Sequence, residues 1–293
     1  MRAVLRSMTW ITLFILLAGC ATAPKQAATL RPAPLRFIQM TDPQFGMIAK
    51  NKDAAKETEL FDKAIAAANR LKPAFVVVTG DLTNMGGNPK QIAAFFAGAK
   101  KLDPAIPLHL VIGNHDFKST KGKPTPEALA DYRKTFGKDY YSFESGGCLF
   151  IALNSCLIQN SETNPAETAA QWEWLKKTLE ANPATRPAIV FQHHSWFLKD
   201  ANEADQYFNL PAKQRAAYLD LMAAHGVKAV FCGHYHRNSE GGYGALPVIT
   251  TGPVCNPLGK PGETCPPGFR AVTVFPDHVE HKYVGLDETP WPD

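Results

Sequence analysis

Two histidine motifs, each opened by glycine, hold the side chains of this sequence that are best suited to chemistry. They are Gly113-Asn114-His115-Asp116 and Gly233-His234-Tyr235-His236, and each follows a run of apolar residues. Glycine permits a sharp turn at the end of a strand, so imidazole, amide and carboxylate groups beyond the turn can converge on one point. Donors of this kind indicate a metal site.

Polar residues follow three further apolar runs in the same way. Asp42 and Gln44 follow residues 35–40, Asp81 follows residues 75–78, and His193 follows residues 189–191. All these runs are predicted to be strands, together with residues 108–112 and 227–232. In an open α/β sheet, the loops at the carboxyl ends of strands share one edge, where ligands usually bind. We therefore expect all five motifs to meet at such an edge.

The elements between these motifs predict the fold class. Residues 53–71 and 165–180 carry apolar stripes at helical spacing, which predicts amphipathic helices between strands. Further strand-like runs lack helices between some neighbours; they are residues 140–143, 148–153, 246–250, 271–275 and 279–284. This mixture indicates a layered α/β domain whose sheets are partly parallel and partly antiparallel. One domain over residues 35–288, with a tail at 289–293, accounts for the pattern.

The ordered motifs resemble those of the calcineurin-like metallophosphoesterase superfamily. Within it, the sequence is similar to the calcineurin-like phosphoesterase domain-containing protein 1 group. The residues that carry the likeness are Asp42-Pro43-Gln44-Phe45-Gly46, Gly113 to Asp116, Phe191-Gln192-His193, Tyr207-Phe208-Asn209-Leu210 and Gly233 to Asn238. The resemblance implies a four-layer αββα sandwich in which helices cover two central mixed β-sheets.

The resemblance also implies a centre of two divalent metal ions and a role for each site residue. The first metal would take Asp42, Gln44 and His236; the second would take Asn114, His193 and His234; Asp81 would bridge both. His115 would stand beside the scissile phosphate without binding metal, with its ring oriented by Asp116. Between His193 and its neighbour His194, the position directly after Phe191-Gln192 favours His193 as the ligand.

Gln44 is where this sequence departs from the wider superfamily, which usually has histidine at that position. An amide oxygen is a weaker and harder donor than imidazole. The first site is therefore expected to lean towards Mn²⁺, Mg²⁺ or Fe²⁺, and Mn is favoured among the candidate metals Mn, Fe and Zn. This departure argues against a permanently bound Fe³⁺–Zn²⁺ pair.

The function expected from this resemblance is hydrolysis of phosphomonoesters by metal-activated hydroxide, with protein phosphoserine or phosphothreonine as candidate substrates. One alternative is a phosphodiesterase acting on cyclic nucleotides or glycerophosphodiesters, because the same metal core would support that reaction. A second alternative is a non-catalytic metal-binding lipoprotein. Retention of His115, a residue that binds no metal in the implied scheme, argues against that second alternative.

Aromatic residues between positions 195 and 211 are candidates for a substrate pocket. Trp196, Phe197, Tyr207 and Phe208 lie there among polar residues, and they would either wall the pocket or anchor a long loop to the core. Arg237 follows the last implied ligand directly. It would either hold a phosphoryl oxygen or have a structural or solvated role.

The first residues predict export and a lipid anchor. Arg2 and Arg6 precede an apolar stretch of about a dozen residues, shorter than the roughly 20 that a membrane span needs. The stretch ends in Leu17-Ala18-Gly19-Cys20, which resembles the lipobox of bacterial lipoproteins. We expect residues 1–19 to be a signal peptide, Cys20 to be lipidated, and residues 20–34 to be a flexible tether. An ordinary secretory signal is the alternative.

Composition and cysteine positions limit the remaining classes. The formal net charge is +4 and no basic block appears, so nothing indicates nucleic-acid binding. We expect a monomeric domain that faces the periplasm from a membrane of a bacterial cell envelope. Cys255 and Cys265 bracket a loop rich in proline and glycine and form the plausible disulfide pair, although sequence spacing fixes connectivity only weakly.

Overall fold

Two β-sheets and six α-helices are formed by the residues that the computed structural model describes, namely 34–118, 120, 122–258, 264–286 and 288. The strands are β1 Leu35–Met40, β2 Val76–Thr79, β3 Leu108–Val111, β4 Tyr141–Ser145, β5 Cys148–Ala152, β6 Ala188–Phe191, β7 Val227–Cys232, β8 Ser239–Tyr243, β9 Leu246–Thr250, β10 Gly268–Val274 and β11 Val279–Gly285. The helices are α1 Ala55–Leu71, α2 Pro89–Ala99, α3 Pro126–Phe136, α4 Ser155–Gln159, α5 Pro165–Glu180 and α6 Ala212–Ala224. The predicted signal peptide, Cys20, most of the predicted tether and the tail lie outside the described residues.

Both sheets are mixed, as predicted from the sequence. The first has the strand order β11-β10-β1-β2-β3, in which β1, β2 and β3 run parallel and β10 pairs with β1 in the antiparallel direction. The second has the order β4-β5-β6-β7-β9-β8, with a parallel centre and an antiparallel strand at each edge. The carboxyl ends of the parallel strands therefore lie along one edge of each sheet.

A layer of phenylalanine side chains joins the two sheets. Phe37 of β1 is fully buried, and its ring meets Phe150, Phe191 and Phe231 of the second sheet edge to face, at centroid distances of 5.7, 5.4 and 5.7 Å. Phe75 stacks on Phe37 at 4.9 Å. Burying each of these rings stabilises the fold by about 2 kcal/mol relative to leaving it in water.

The helices cover the outer faces of the two sheets, which completes the predicted αββα sandwich. Strand residues alternate between faces, so Ile38 and Met40 point away from the phenylalanine layer and pack with Leu60, Phe61 and Ala64 of α1. On the outer face of the second sheet, Val190 and Val230 pack with residues of α5 and α6. The amphipathic helices predicted around residues 53–71 and 165–180 are α1 and α5.

The sequence missed one strand and suggested one bond that the structure does not contain. Strand β8 has the sequence SEGGY, which offers no apolar run, and it lies at an edge of its sheet. All five described cysteines are free thiols, including Cys255 and Cys265. Cys255 is buried, and its Sγ lies 3.6 Å from the backbone oxygen of Glu57.

Among the described residues, no helix has the length and apolar content needed to cross a bilayer.

Candidate metal centre

The strand ends bring the predicted acidic and histidine residues together as two overlapping groups. Asp81, His193 and His234 form one group, and Asp42, Asp81 and His236 form the other. Within each group, one possible ligand atom per residue lies within 4.8 Å of the others, and all five residues are buried. Asp81 belongs to both groups. The geometry is that of two adjacent cation sites sharing one carboxylate.

The backbone at this centre adopts a conformation that non-glycine residues rarely take. Five of the eight described non-glycine residues with positive φ belong to it: Asp42 at 49°, Gln44 at 38°, Asp81 at 50°, His234 at 67° and His236 at 55°. Such a conformation costs about 1–2 kcal/mol for each residue. Strain of this kind concentrates at functional sites, where the surrounding structure holds it in place.

Asp42 and His236 each turn one polar atom towards the other, and the Asp42 atom has no hydrogen-bond partner. Asp42 Oδ2 accepts hydrogen bonds from Thr41 Oγ1 at 2.6 Å and from the His234 backbone N–H at 3.0 Å. The other oxygen, Oδ1, is buried without a hydrogen-bond donor and lies 3.4 Å from His236 Nε2. The second ring nitrogen of His236, Nδ1, lies 2.6 Å from the Asn256 carbonyl. Because a carbonyl can only accept a hydrogen bond, Nδ1 donates to it and Nε2 is the nitrogen that faces Asp42.

Gln44 also has a buried side-chain oxygen without a hydrogen-bond partner. Its side chain is buried, and Oε1 lies without a hydrogen-bond donor. Buried polar atoms are nearly always hydrogen-bonded, so a partnerless oxygen on each of Asp42 and Gln44, two residues apart, requires an explanation. A cation bound by Asp42 Oδ1 would supply it for Asp42, and the buried amide oxygen of Gln44 is a metal ligand of the same kind. The residues present therefore fit a metal.

The second group has imidazoles fixed in the same manner. His193 Nδ1 lies 2.9 Å from the Thr79 carbonyl, while its Nε2 lies 3.1 Å from Asn114 Oδ1 and 3.3 Å from Asp81 Oδ1. His234 Nε2 lies 3.0 Å from the Tyr207 carbonyl, which leaves Nδ1 as its available nitrogen. In each of the three imidazoles, a backbone carbonyl orients one nitrogen and leaves the other for the centre.

The charges of the centre suit cations. Burial alone would raise the pKa of Asp42, but His236 and His193 outweigh it and hold that pKa below its usual range. The pKa of Asp81 is likewise lowered, because His193 and the neighbouring histidines overcome burial. Burial alone would lower the pKa of His193, yet Asp81 and Asp42 raise it to about 9. Both carboxylates are therefore anionic at neutral pH, and His193 without a metal carries a proton that a bound cation would displace from its ring.

Glycine is required where the strand-end turns touch each other. A Cβ on Gly113 would lie 2.1 Å from the Asp81 backbone nitrogen, and one on Gly233 would lie 1.9 Å from Thr41 Oγ1. Atoms without a bond between them do not approach so closely. The two glycines that opened the histidine motifs thus allow the turns to pack side by side.

His115 faces open space, but Asp116 does not orient it. The ring Nδ1 of His115 lies 2.9 Å from the Asn84 carbonyl, and its backbone N–H donates to Asp81 Oδ1 at 2.9 Å. The prediction for Asp116 was wrong, because its carboxylate accepts the backbone N–H groups of Thr83 at 3.0 Å and Gly113 at 2.9 Å. Burial and Asp81 raise the pKa of Asp116 to about 7. Asp116 joins two loops of the centre.

The aromatic candidates divide into two pairs. Trp196 and Phe197 are fully buried and pack in the core on the outer face of the second sheet, so they anchor the loop. Tyr207 is 64% exposed, and its ring centroid lies 4.9 Å from that of His234. The Phe208 ring lies 5.8 Å from the same imidazole. Tyr207 and Phe208 therefore border the metal centre.

Arg237 and His194 are engaged elsewhere. Arg237 donates from Nε to the Leu258 carbonyl at 2.8 Å, and its guanidinium lies 4.8 Å from the centroid of the Tyr235 ring. These contacts support the structural alternative for Arg237 over phosphate binding. His194 Nδ1 lies 3.0 Å from Ser155 Oγ, and His194 belongs to neither candidate ligand group.

The family model that matches this chain is described as calcineurin-like phosphoesterase, and it covers residues 35–238. The chain belongs to this family. It is therefore a phosphoesterase, a hydrolase of a family that uses two divalent metals, as the two ligand groups around Asp81 suggested.

Relatives of this phosphoesterase agree with the assignment. It is 38% identical over 272 residues to the serine/threonine-protein phosphatase CPPED1 of Bos taurus, covering 87% of this chain and 85% of that protein. It is 26% identical over 266 residues to a probable cyclic nucleotide phosphodiesterase of Rhodopseudomonas palustris, covering 84% of this chain and 90% of that protein. The crystal structure of a dimetal phosphatase from Danio rerio shares its fold, with a TM-score of 0.62, 17% identity and coverage of 87% of this chain and 97% of that one.

The phosphoesterase also contains a polar network that the sequence did not reveal. Asn51 Oδ1 accepts hydrogen bonds from Asn84 Nδ2 and Gln91 Nε2, both at 2.8 Å. Gln91 Oε1 in turn accepts the backbone N–H of Met85 at 2.8 Å. This network holds the loop whose Asn84 carbonyl meets the His115 ring. No sequence signal marks it, because Asn51 lies away from any strand end and a carbonyl is common to every residue type.

Proposed function

We propose that this phosphoesterase hydrolyses phosphomonoesters at a centre of two divalent metals. Asp42, Gln44 and His236 would hold the first metal, Asn114, His193 and His234 would hold the second, and Asp81 would contribute to both. The observation that carries the proposal is the pair of buried ligand groups that share Asp81, one of which contains Asp42 with its partnerless Oδ1.

The chain's own residues divide the remaining work. Two divalent metals supply, when bound, a strongly acidified water and positive charge near the phosphate. His115 has its Nδ1 held by the Asn84 carbonyl, which can only accept a hydrogen bond, so Nε2 is the nitrogen that faces the substrate. With the ring doubly protonated, Nε2–H would donate its proton to the oxygen of the leaving alcohol, and the ring would end as the neutral Nδ1–H form. Asp81 fixes the His115 backbone through the N–H it accepts, which places the acid beside the metal ligands.

Protein phosphoserine and phosphothreonine are the proposed substrates. The bovine relative is named a serine/threonine-protein phosphatase, and the likeness extends over most of both chains. The second candidate is a diester, favoured by the name of the Rhodopseudomonas palustris relative, at lower identity. Turnover of p-nitrophenyl phosphate, bis-p-nitrophenyl phosphate and a phosphoserine peptide by the purified protein separates the two. Turnover of the diester alone would exclude the first candidate.

Manganese is the proposed metal of the first site, because the Gln44 amide oxygen is a hard donor. We expect chelation to abolish turnover and Mn²⁺ to restore it better than Zn²⁺. In Gln44→His, the added imidazole should shift the preference towards Zn²⁺. Metal analysis and activity after reconstitution measure both effects. Full turnover by a protein shown to be metal-free would contradict the metal mechanism.

The location proposed for the enzyme is the periplasmic face of a bacterial membrane, with lipidation at Cys20. The support is the Leu17-Ala18-Gly19-Cys20 sequence after a short apolar stretch. In the native bacterial host, Cys20→Ser should move the protein from the membrane fraction to the soluble fraction. Unchanged membrane fractionation of that variant would refute the anchor without affecting the proposed reaction.

A further inference from the structure

A cavity of about 1060 Å³ opens beside the metal centre on the side of His115. Asn114, His115 and Tyr207 form its inner wall, and the segment from Asn84 to Lys90 forms much of the rest. In the proposed function, His115 lies next to the leaving oxygen of the substrate. The cavity is then where the alcohol half of the ester lies, so its chemistry selects among substrates.

The charge of this cavity has one sign. Lys52, Lys90 and Lys118 line it, and none of its fifteen lining residues in the described part of the chain is acidic. All three lysines are exposed. Lys118 lies 3.9 Å from Asp131, a contact between two largely exposed side chains that neutralises little of its charge. The cavity therefore offers an electropositive surface next to the phosphate site.

Glycines hold one of these lysines against the cavity wall. A Cβ on Gly86 would lie 2.4 Å from the backbone of Phe117, and one on Gly87 would lie 2.7 Å from Lys118 Cγ. The turn at Gly86 and Gly87 thus packs directly on the segment that follows His115. The stem of Lys118 lies across this turn, on the wall of the cavity.

Apolar contacts are available in the same cavity. Among the described residues, three large hydrophobic side chains are exposed, and two of them, Met85 at 49% and Tyr207 at 64%, line it. A surface that combines exposed apolar groups with positive charge fits an organic group that is itself anionic. A bare aryl phosphate uses only a small part of it.

We propose that this cavity binds the alcohol half of the substrate and selects phosphomonoesters whose alcohol half carries further negative charge. A phosphoserine flanked by acidic residues is one source of that chemistry, and a sugar bisphosphate is another. The inference rests on the proposed function, because it takes the cavity next to His115 as the place of the leaving group.

The test compares two phosphoserine peptides of equal length, one with acidic and one with neutral flanking residues. With the full-length protein in Mn²⁺ at low salt, we expect kcat/KM to favour the acidic peptide by about tenfold, and less as salt rises. In the triple variant Lys52→Met, Lys90→Met and Lys118→Met, the ratio should fall close to one. Lys282→Met, on β11 and outside the cavity, is the control that should keep the wild-type ratio.

A binding measurement supplies a readout without turnover. A fluorescent acidic peptide that lacks phosphate should bind the wild-type protein in EDTA, and the triple lysine variant should bind it at least fivefold more weakly, measured by anisotropy. For small molecules, the same comparison uses glucose 1,6-bisphosphate and glucose 1-phosphate, and the ratio of their kcat/KM values is measured. A preference for the more acidic peptide or for the bisphosphate that disappears in the triple lysine variant supports the inference. Which of the two preferences is found shows whether the substrate is a phosphopeptide or a sugar bisphosphate.

The failures of the two proposals are distinguishable. Failure to turn over any phosphomonoester would refute the proposed function. Turnover of both peptides with equal kcat/KM in the wild type, together with no bisphosphate preference, would refute the selectivity while leaving the function in place. A preference for the acidic peptide that is unchanged in the triple lysine variant would also refute the proposed selectivity.

Discussion

At the scale of single residues, the environment of His115 separates it from the metal ligands. His193, His234 and His236 each have one nitrogen at a backbone carbonyl and the other at a buried carboxylate or amide. His115 has one nitrogen at a carbonyl, but the rest of its ring lines a cavity. The same orienting device therefore serves two chemical roles.

Replacing His115 should reduce turnover without emptying the centre. In His115→Asn we expect kcat for a phosphoserine peptide to fall by about 10²–10⁴, the usual contribution of a general acid. Metal content should remain that of the wild type, because His115 belongs to neither ligand group. His278→Asn, at an exposed histidine on the turn before β11, is the control. Loss of metal from His115→Asn would contradict this assignment.

Among the loops and turns, the segment after Gly46 helps to position His115, although no proposed catalytic or metal-binding residue lies in it. Asn51 has φ of 66° and receives hydrogen bonds from Asn84 and Gln91. Those bonds fix the loop that carries the carbonyl partner of His115. Asn51 is thus a positioning residue whose effect passes through Asn84.

A glycine substitution isolates the Asn51 side chain. Asn51→Gly keeps the left-handed backbone and removes Oδ1, so kcat should fall about tenfold, in the range found for residues that orient a metal centre from outside it. KM and metal content should change little. Lys50→Gly is the matched control, because Lys50 is an exposed neighbour with φ of 51°. Equal losses of kcat in both variants would show a general effect of loop flexibility.

The turns at the strand ends should tolerate no added methyl group. In Gly233→Ala, the Cβ would overlap Thr41 Oγ1, so we expect a loss of about 1–3 kcal/mol in the free energy of unfolding, as overpacking usually causes. Gly242→Ala on β8 is the control, since its nearest atom would lie 3.5 Å away. Urea unfolding of both variants measures the difference, and equal stability would contradict the packing argument.

The strands that position the site could be predicted because long apolar runs carry a clear signal. Strands β1, β7 and β9 have the predicted bounds, and the remaining predicted strands are shifted by a few residues at most. Strand β8 has no apolar run that could predict it, because its glycines and polar residues are held in a strand by pairing with β9. The prediction of Asp116 failed for a related reason. Which side chain reaches the His115 ring depends on loop packing that no local pattern encodes.

Across the whole molecule, the contact between the two sheets carries a titratable group. His109 of β3 stacks on Phe143 of β4 with ring centroids 3.5 Å apart, and it meets Phe75 edge to face. Burial lowers the pKa of His109 to about 4. Folding thus favours the neutral ring, and the unfolded chain binds more protons between that value and the usual 6.5.

Stability should therefore fall with pH below neutrality, in part through His109. Its contribution is complete above about pH 7 and is lost as the pH falls towards 4, amounting to about 1 kcal/mol after solvent screening of this partly exposed ring. In His109→Phe, the free energy of unfolding should depend less steeply on pH over this window than in the wild type. Parallel pH profiles for the two proteins would contradict the prediction.

Each proposed metal site takes residues from both sheets. Asp42, Asp81 and Asn114 follow β1, β2 and β3 of the first sheet, while His193, His234 and His236 follow β6 and β7 of the second. A folding intermediate with only one sheet formed would lack part of every ligand set. We therefore expect metal uptake to follow the packing of the two sheets, because a chain with only one sheet formed has no complete centre with which to capture a metal.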